Sequence, residues 1–379
     1  MNVISISATS IEQLASQIKS VIHHQFQPTI AIGFSSPDFP FEDSLSIFRE
    51  NHIELIGCTT SGEILDNAIL SNTFSVLLMD FNRSYFKTVQ FEHTDVEAYS
   101  SGEKLYEIAD QTFQNPGIIL FISGVRVVGD GPVEGIRKNI TREIPIYGGL
   151  AGDNIQHNNT CTFTHESVSN FGVSALILDT DKIQMKGLAV SGWKPLGKTH
   201  TVTKADKNII YEIDGLPALD LFLNYFGNIE YKLANNDGLY TIPGQYPLKI
   251  FQNDGTSYLR SLLIYDTENR ALLAAGKINT GVNFKFCPPP DISVVDDTVR
   301  QFQEFSETFS DIDALVMVSC KGRHTSLGPM LEDEVKFIHE IWNVPMAGFL
   351  SNGEIGNSAI NGDCAFHNVT CSLFSLKAM

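Results

Sequence analysis

The feature that most constrains the fold of this 379-residue chain is a unit that occurs three times along the sequence. Each copy reads as a short apolar strand, a helix, a second strand and a loop of small residues. The first strands are predicted near 29–34, 117–123 and 314–319. Every copy ends in a glycine followed by an acid: Gly62-Glu63, Gly152-Asp153 and Gly353-Glu354. This alternation predicts an α/β chain with quasi-repeated parts.

The chain length suits two domains of roughly 100–200 residues each. A region of strands punctuated by proline and glycine separates the second unit from the third, and we place the domain boundary near Gly215. The predicted domains are therefore 1–215 and 216–379. We expect a mixed α+β fold in which the two quasi-repeated domains carry mixed sheets flanked by helices, with their sheets packed against each other.

Composition and charge exclude several classes of partner. The formal net charge of −18, without any run of Lys or Arg, disfavours nucleic acid and anionic membrane surfaces. No apolar stretch approaches the ~20 residues that span a bilayer, and the N-terminus lacks the pattern of a secretion signal. The six cysteines form no CxxC pair. We therefore expect a protein of the reducing cytoplasm with no nucleic-acid partner and no membrane insertion.

Polar residues follow the first strand in two of the units. Ser123 and Arg126 do so in the second unit, and Ser319 and Arg323 in the third. Side chains at the carboxyl ends of strands point into the crevice where α/β proteins bind ligands. The small-residue loops would let a ligand approach backbone N–H groups closely. The alternative interpretation is that the glycine-acid pairs are only turns and that each arginine forms only a structural salt bridge with an acid.

These positions define a predicted binding site for a small ligand. Its candidate residues are Thr60, Ser61, Glu63, Ser123, Arg126, Asp153, Cys320, Arg323, Ser351 and Glu354.

Several longer motifs resemble the FIST family, with a FIST N domain followed by a FIST C domain. They are Gly-Cys-Thr-Thr-Ser-Gly-Glu-Ile at 57–64, Gly-Gly-Leu-Ala-Gly-Asp at 148–153, Gly-Trp-Lys-Pro-Leu-Gly at 192–197, Val-Thr-Lys-Ala at 202–205, Tyr-Glu-Ile-Asp-Gly-Leu-Pro-Ala at 211–218, Ser-Cys-Lys-Gly-Arg at 319–323 and Gly-Phe-Leu-Ser-Asn-Gly-Glu-Ile-Gly at 348–356. The resemblance implies a sensory module of bacterial signal transduction that binds small ligands such as amino acids. With no kinase or cyclase segment in the sequence, we expect it to act on a separate histidine kinase or other signalling protein.

An amino-acid-like ligand fits the candidate residues chemically. A zwitterion needs donors for its carboxylate, which the planar forks of Arg126 and Arg323 would supply. It needs acceptors for its ammonium group, which Glu63, Asp153 and Glu354 would supply. The small hydroxyl groups of the candidate residues would adjust the shape and polarity of the site to the ligand.

Two other functions stay open at this point. Some stand-alone members of the family are haem-binding nitric-oxide sensors, and non-covalent haem b would need an axial ligand, for which His324 and then His200 are the candidates. A cysteine-dependent enzyme acting on small amides would use Cys320, four residues before His324, or Cys58 in its glycine loop. The chain has no GxSxG, HExxH or GxxxxGK[ST] motif, and we expect it not to be an enzyme.

Overall fold

The computed structural model describes residues 1–23, 25–92, 97–124, 130–140, 142–153, 160–227, 246–252, 255–359 and 362–379, and the backbone of 239–241. It confirms a mixed fold of helices and mixed sheets. None of the helices in these ranges combines the length and the apolar composition that crossing a lipid bilayer requires.

The predicted unit is part of a longer repeat of strand, helix, strand, helix and four further strands. The first copy comprises β1 (Val3–Ala8), α1 (Ile11–Val21), β2 (Ile30–Ser35), α2 (Phe41–Glu50), β3 (Glu54–Thr59), β4 (Glu63–Leu65), β5 (Ala68–Leu70) and β6 (Phe74–Met79). After a short 3-10 helix (Arg83–Tyr85), the second copy comprises β7 (Phe86–Glu92), α3 (Ala98–Thr112), β8 (Pro116–Ser123), α4 (Gly131–Asn139), β9 (Ile146–Leu150), β10 (Thr162–Thr164), β11 (Val168–Ser169) and β12 (Gly172–Asp179).

The third copy is interrupted after its first strand, β13 (Ile183–Val190). The inserted segment comprises β14 (Leu196–Asp206), β15 (Ile209–Ile213), β16 (Leu216–Pro217), α5 (Ala218–Phe226), β17 (Leu239–Thr241), β18 (Leu248–Phe251), β19 (Ser257–Arg260), β20 (Leu262–Asp266), β21 (Ala271–Ala274) and β22 (Asn283–Phe286). The copy then resumes with α6 (Ser293–Thr308), β23 (Ala314–Cys320), α7 (Lys321–Leu327), α8 (Met330–Trp342), β24 (Met346–Ser351), β25 (Glu354–Asn357), β26 (Cys364–His367) and β27 (Cys371–Ala378).

Each repeat builds a six-stranded sheet with the same strand order. The orders are β1-β6-β2-β3-β10-β11, β7-β12-β8-β9-β25-β26 and β13-β27-β23-β24-β4-β5. The second and third strands of each repeat are parallel because a helix carries the chain back between them. The last two strands in each of these orders form a hairpin that comes from another repeat. The three repeats therefore exchange hairpins in a closed cycle.

The three sheets share one apolar core and carry their helices on the outside. Phe34, Phe121 and Phe349 come from different sheets, and their ring centroids lie 4.9–5.8 Å apart. On the outer faces, α1 and α2 cover the first sheet, α3 and α4 the second, and α6 and α8 the third. The sheets therefore pack against each other as expected, and three sheets take part in this packing.

The inserted segment forms a nine-stranded sheet with its own aromatic core, which includes Phe222, Phe284 and Phe286. The predicted cut near Gly215 falls inside this sheet, because β15 pairs with β16 across the turn that contains Gly215. In space the strands group into the three-sheet body and the nine-stranded insertion. The body draws its strands from both ends of the sequence.

A glycine at the same place in each repeat allows the two parallel strands to approach. Gly57, Gly148 and Gly348 lie opposite Gly33, Leu120 and Met317 in the strand register. A Cβ atom on any of the three would lie 1.8–2.0 Å from the carbonyl oxygen of its register partner. Since those atoms are backbone, they cannot turn aside as a side chain could.

We predict that Gly348→Ala lowers the free energy of unfolding by about 3 kcal/mol or more, because the new methyl group separates β23 from β24. Urea unfolding followed by circular dichroism measures the change. Gly322→Ala is the matched control, since its Cβ meets only ordinary contacts at 3.6 Å and lies in a helix, where alanine is favoured. Equal effects of the two substitutions would contradict the prediction.

Candidate functional site

The glycine-acid corners of the three repeats meet at the carboxyl ends of the parallel strands. Leu350 N donates to Gly62 O at 2.8 Å, and Leu150 N donates to Gly353 O at 2.8 Å. The cycle closes where Gly152 N donates to Thr59 O, also at 2.8 Å. Each corner is thus bonded to the other two through its backbone.

Two of the three corner acids are fully buried and serve the same local arrangement. Glu63 accepts hydrogen bonds from Thr60 Oγ1 and from the backbone and hydroxyl of Thr73. Glu354 accepts from Ser351 Oγ at 2.5 Å and from the backbone and hydroxyl of Thr370 at 3.2 and 2.8 Å. Each carboxyl group therefore ties its corner to the start of the last strand of its repeat.

Burial acts on both carboxyl groups, because removal from water disfavours the charged form. It raises the pKa of Glu63 and raises that of Glu354 to about 7, against the stabilising hydrogen bonds from hydroxyl and backbone groups. Asp153, the third corner acid, is also buried. The corners converge as the sequence predicted, but these carboxyl groups are enclosed by protein.

Arg323 lies on α7, and it is 0% exposed. Its Nε and Nη2 donate to the two carboxylate oxygens of Glu334 on α8. Nη1 donates to Ser191 O and Val369 O, and Nη2 also donates to Thr298 Oγ1. All its N–H groups have partners, so this arginine holds α7, α8 and the neighbouring loops together and has no donor left for a ligand.

The remaining candidates are also engaged inside the protein. Ser123 Oγ donates to Ser169 O at 2.9 Å, and Ser61 Oγ donates to Asp153 O at 2.8 Å. Cys320 is buried beside Glu354. Arg126 lies outside the described residues.

The two histidines considered for haem differ in their surroundings. His200 is buried, with Nδ1 2.8 Å from Asp214 Oδ2 and Nε2 2.7 Å from Tyr225 Oη, so neither ring nitrogen is free to bind iron. His324 is half-buried on α7, where its Nδ1 lies 3.3 Å from Lys321 Nζ. Burial and this ammonium group lower the pKa of His324. A lysine neighbour on a polar helix is not the apolar slot that haem requires, and these residues do not fit the group.

The cysteines lack the chemistry of a nucleophile, for which the thiolate is needed. All six are buried. Burial raises the pKa of the thiols of Cys58 and Cys320 well above their usual range, and the charge of Glu354 adds to the effect on Cys320. Both cysteines are therefore thiols that pack in the interior.

A group that the sequence did not indicate lies where the insertion meets the second repeat. Arg260, at the end of β19, is 3% exposed and stands between the rings of Tyr258 and Phe366, each 5.1 Å from its guanidinium carbon. Its Nη2 lies 3.6 Å from Oδ2 of Asp130, which is 5% exposed. Nε and Nη1 of Arg260 and Oδ1 of Asp130 have no hydrogen-bond partner. The signal in the sequence is a lone charged residue, Arg260, in the mainly apolar stretch 258–265.

A small polar cavity is lined by Tyr258, the same residue whose ring contacts Arg260. It measures about 30 Å³, room for a water molecule or two. It is lined by Ala189, Ser191, Lys249, Ser257, Tyr258, Leu259, His367 and Thr370. Thr370 also donates to Glu354, so the cavity connects the insertion with the third corner.

Comparison with known families gives two matches. The profile described as the FIST N domain matches residues 29–216, and that described as the FIST C domain matches residues 218–357. Together they cover most of the chain, which confirms the resemblance inferred from the motifs. A search of curated proteins found no match.

We predict that Arg323→Met lowers the free energy of unfolding by roughly 3–5 kcal/mol, because it leaves the buried carboxylate of Glu334 without its partner. Chemical denaturation measures the loss. Arg300→Met on the exposed face of α6 is the control and should leave stability nearly unchanged, because its ion pair with Glu304 is exposed to solvent. A small effect at Arg323 would mean that the ion pair is not needed for folding.

We predict that Glu354→Gln removes part of the pH dependence of stability. In the folded state, burial raises the pKa of the Glu354 carboxyl group to about 7 from its ordinary value of 4.5. Stability from this group is therefore fully present below pH 4.5 and is lost as the pH rises to 7, by roughly 3 kcal/mol at most. Glutamine can still accept from Thr370 and bond to Ser351.

Urea unfolding at a series of pH values tests this, with the exposed Glu307→Gln as the control. The difference in stability between Glu354→Gln and the wild type should shift in favour of the variant as the pH rises. A constant difference across the range would show that Glu354 keeps its ordinary pKa.

Proposed function

The chain belongs to the FIST family, and on that premise we propose that it is a cytoplasmic bacterial sensor that binds a small, amino-acid-like ligand. The family is associated with the sensing of small ligands in signal transduction. In our proposal the ligand binds between the three-sheet body and the nine-stranded insertion. The bound protein then regulates a separate partner, a histidine kinase or another signalling protein.

The observation that carries the proposed location is the contact between the insertion and the carboxyl-end loops of the second and third repeats. Lys277 N donates to Asp130 Oδ2 at 3.1 Å, and Ser261 N donates to Asn368 Oδ1 at 3.3 Å. Ligands of α/β proteins bind at the carboxyl ends of strands, and pockets form preferentially between domains. The boundary combines both conditions and leaves buried polar atoms without partners.

A binding role is supported over catalysis by the state of the candidate nucleophiles. Cys58 and Cys320 are buried thiols with raised pKa values. In a sensor the ligand needs only to favour one arrangement of two bodies, which it does by contacting both. A ligand at this boundary would touch the body and the insertion at once, and so could alter the surface offered to a partner.

Thermal unfolding of the purified protein with the standard amino acids, simple carboxylic acids and haem tests the proposal. A ligand at ~100 times its Kd should add about 2.7 kcal/mol to the free energy of unfolding. We predict stabilisation by one or a few amino acids and no Soret band with haem.

Ser257→Trp, which places a side chain larger than the cavity beside Tyr258, should weaken the stabilisation. Ser20→Trp on the exposed face of α1 is the matched control and should leave it unchanged. Stabilisation by haem alone, or an equal effect of the two tryptophans, would count against an amino-acid sensor with its site at this boundary.

A further inference from the structure

We infer that Arg260 and Asp130 form the recognition site for a small zwitterion, with the arginine binding its carboxylate and the aspartate its ammonium group. The inference rests on the proposed function and names the residues that would carry it. It transfers the carboxylate-binding role from Arg126 and Arg323 to an arginine of the insertion.

The two buried arginines of the described chain provide an internal comparison. Arg323 has a partner for every N–H group, as buried charged groups in folded proteins normally do. Arg260 is almost as buried, yet Nε and Nη1 have none. An unpartnered buried donor costs free energy, and the cost is recovered when a ligand supplies the acceptor. The unfilled donors on Arg260 therefore mark it as the arginine that is available to a ligand.

The surroundings of Arg260 hold its guanidinium group in place without using up its donors. The rings of Tyr258 and Phe366 attract the cation through their faces. Gly276 lies directly against the group, where a Cβ atom would be 2.5 Å from Nη1. A fixed planar fork with open hydrogen bonds is the arrangement that recognises a carboxylate.

Asp130 supplies the complementary charge next to it. Its Oδ2 accepts from Lys277 N and lies 3.6 Å from Arg260 Nη2, which keeps the carboxylate beside the guanidinium. Its Oδ1 is buried and has no partner, so it can accept from an ammonium group. Donors and acceptor thus lie side by side, which matches a carboxylate and an amine attached to one carbon atom.

Charge balance selects a zwitterion over a simple anion. Arg260 and Asp130 together are neutral, and a zwitterion keeps the buried site neutral while filling both sets of open hydrogen bonds. A carboxylate without an amine would leave Asp130 Oδ1 open and add a net negative charge to a poorly solvated place. The deaminated acid and the decarboxylated amine should therefore both bind more weakly than the amino acid itself.

Isothermal titration calorimetry on the full chain tests this inference. The probes are the standard amino acids, and for each one that binds, its deaminated and decarboxylated analogues. Arg260→Met should weaken binding by at least about 30-fold, and Asp130→Asn by at least about tenfold. Arg300→Met removes an exposed positive charge and should leave affinity unchanged.

Stability of the ligand-free variants separates recognition from a structural role. Arg260→Met should lower the urea midpoint far less than Arg323→Met, because Arg260 leaves hydrogen bonds unmade without ligand. An equal loss at the two sites would overturn the inference. If amino acids bind the wild type and both site variants equally, the assignment to Arg260 and Asp130 fails while the proposed sensor survives. If no amino acid binds the wild type, both fail together.

Discussion

The structure depends on one apolar contact region in which the inner faces of three sheets meet. Phe34, Phe121 and Phe349 touch one another there, so no sheet can bury its inner face without the other two. The exchanged hairpins strengthen the same dependence, because every sheet is completed by strands of another repeat. The body is therefore one cooperative unit, and its repeats are not separate domains.

This closure explains the glycine-acid corners. At each corner the chain leaves its own sheet for that of another repeat, and the loop packs against two equivalent loops through backbone hydrogen bonds. In the first and third repeats the acid ties the turn to the last strand of its own repeat and must lie in the interior to do so. The recurrence that suggested a binding site is thus accounted for by the joint of the three sheets.

The sequence could predict what local patterns determine. Strand and helix periodicity indicates the strand-helix-strand units that the structure contains in all three repeats. It could not predict which sheet the hairpins that begin with β4, β10 and β25 would join, because each hairpin is attached to its sheet by pairing with a strand distant along the chain. The sequence indicates Arg323 as a candidate ligand-binding residue or as part of a structural salt bridge. Its partner Glu334 lies outside the motif, on α8, so the motif alone could not distinguish these two roles.

The insertion breaks the symmetry of the body, and function is best sought where it does so. The three corners satisfy one another's backbone groups, which leaves little for a ligand to add there. The insertion instead places Arg260 against Asp130 of the second repeat and binds that acid through the backbone of Lys277. A ligand that completes this pair would join the insertion to the three-sheet body through the unpartnered atoms of Arg260 and Asp130. Sensing requires that the ligand favour one of two arrangements of the protein. In the described part of the chain, this boundary is where a ligand can do so.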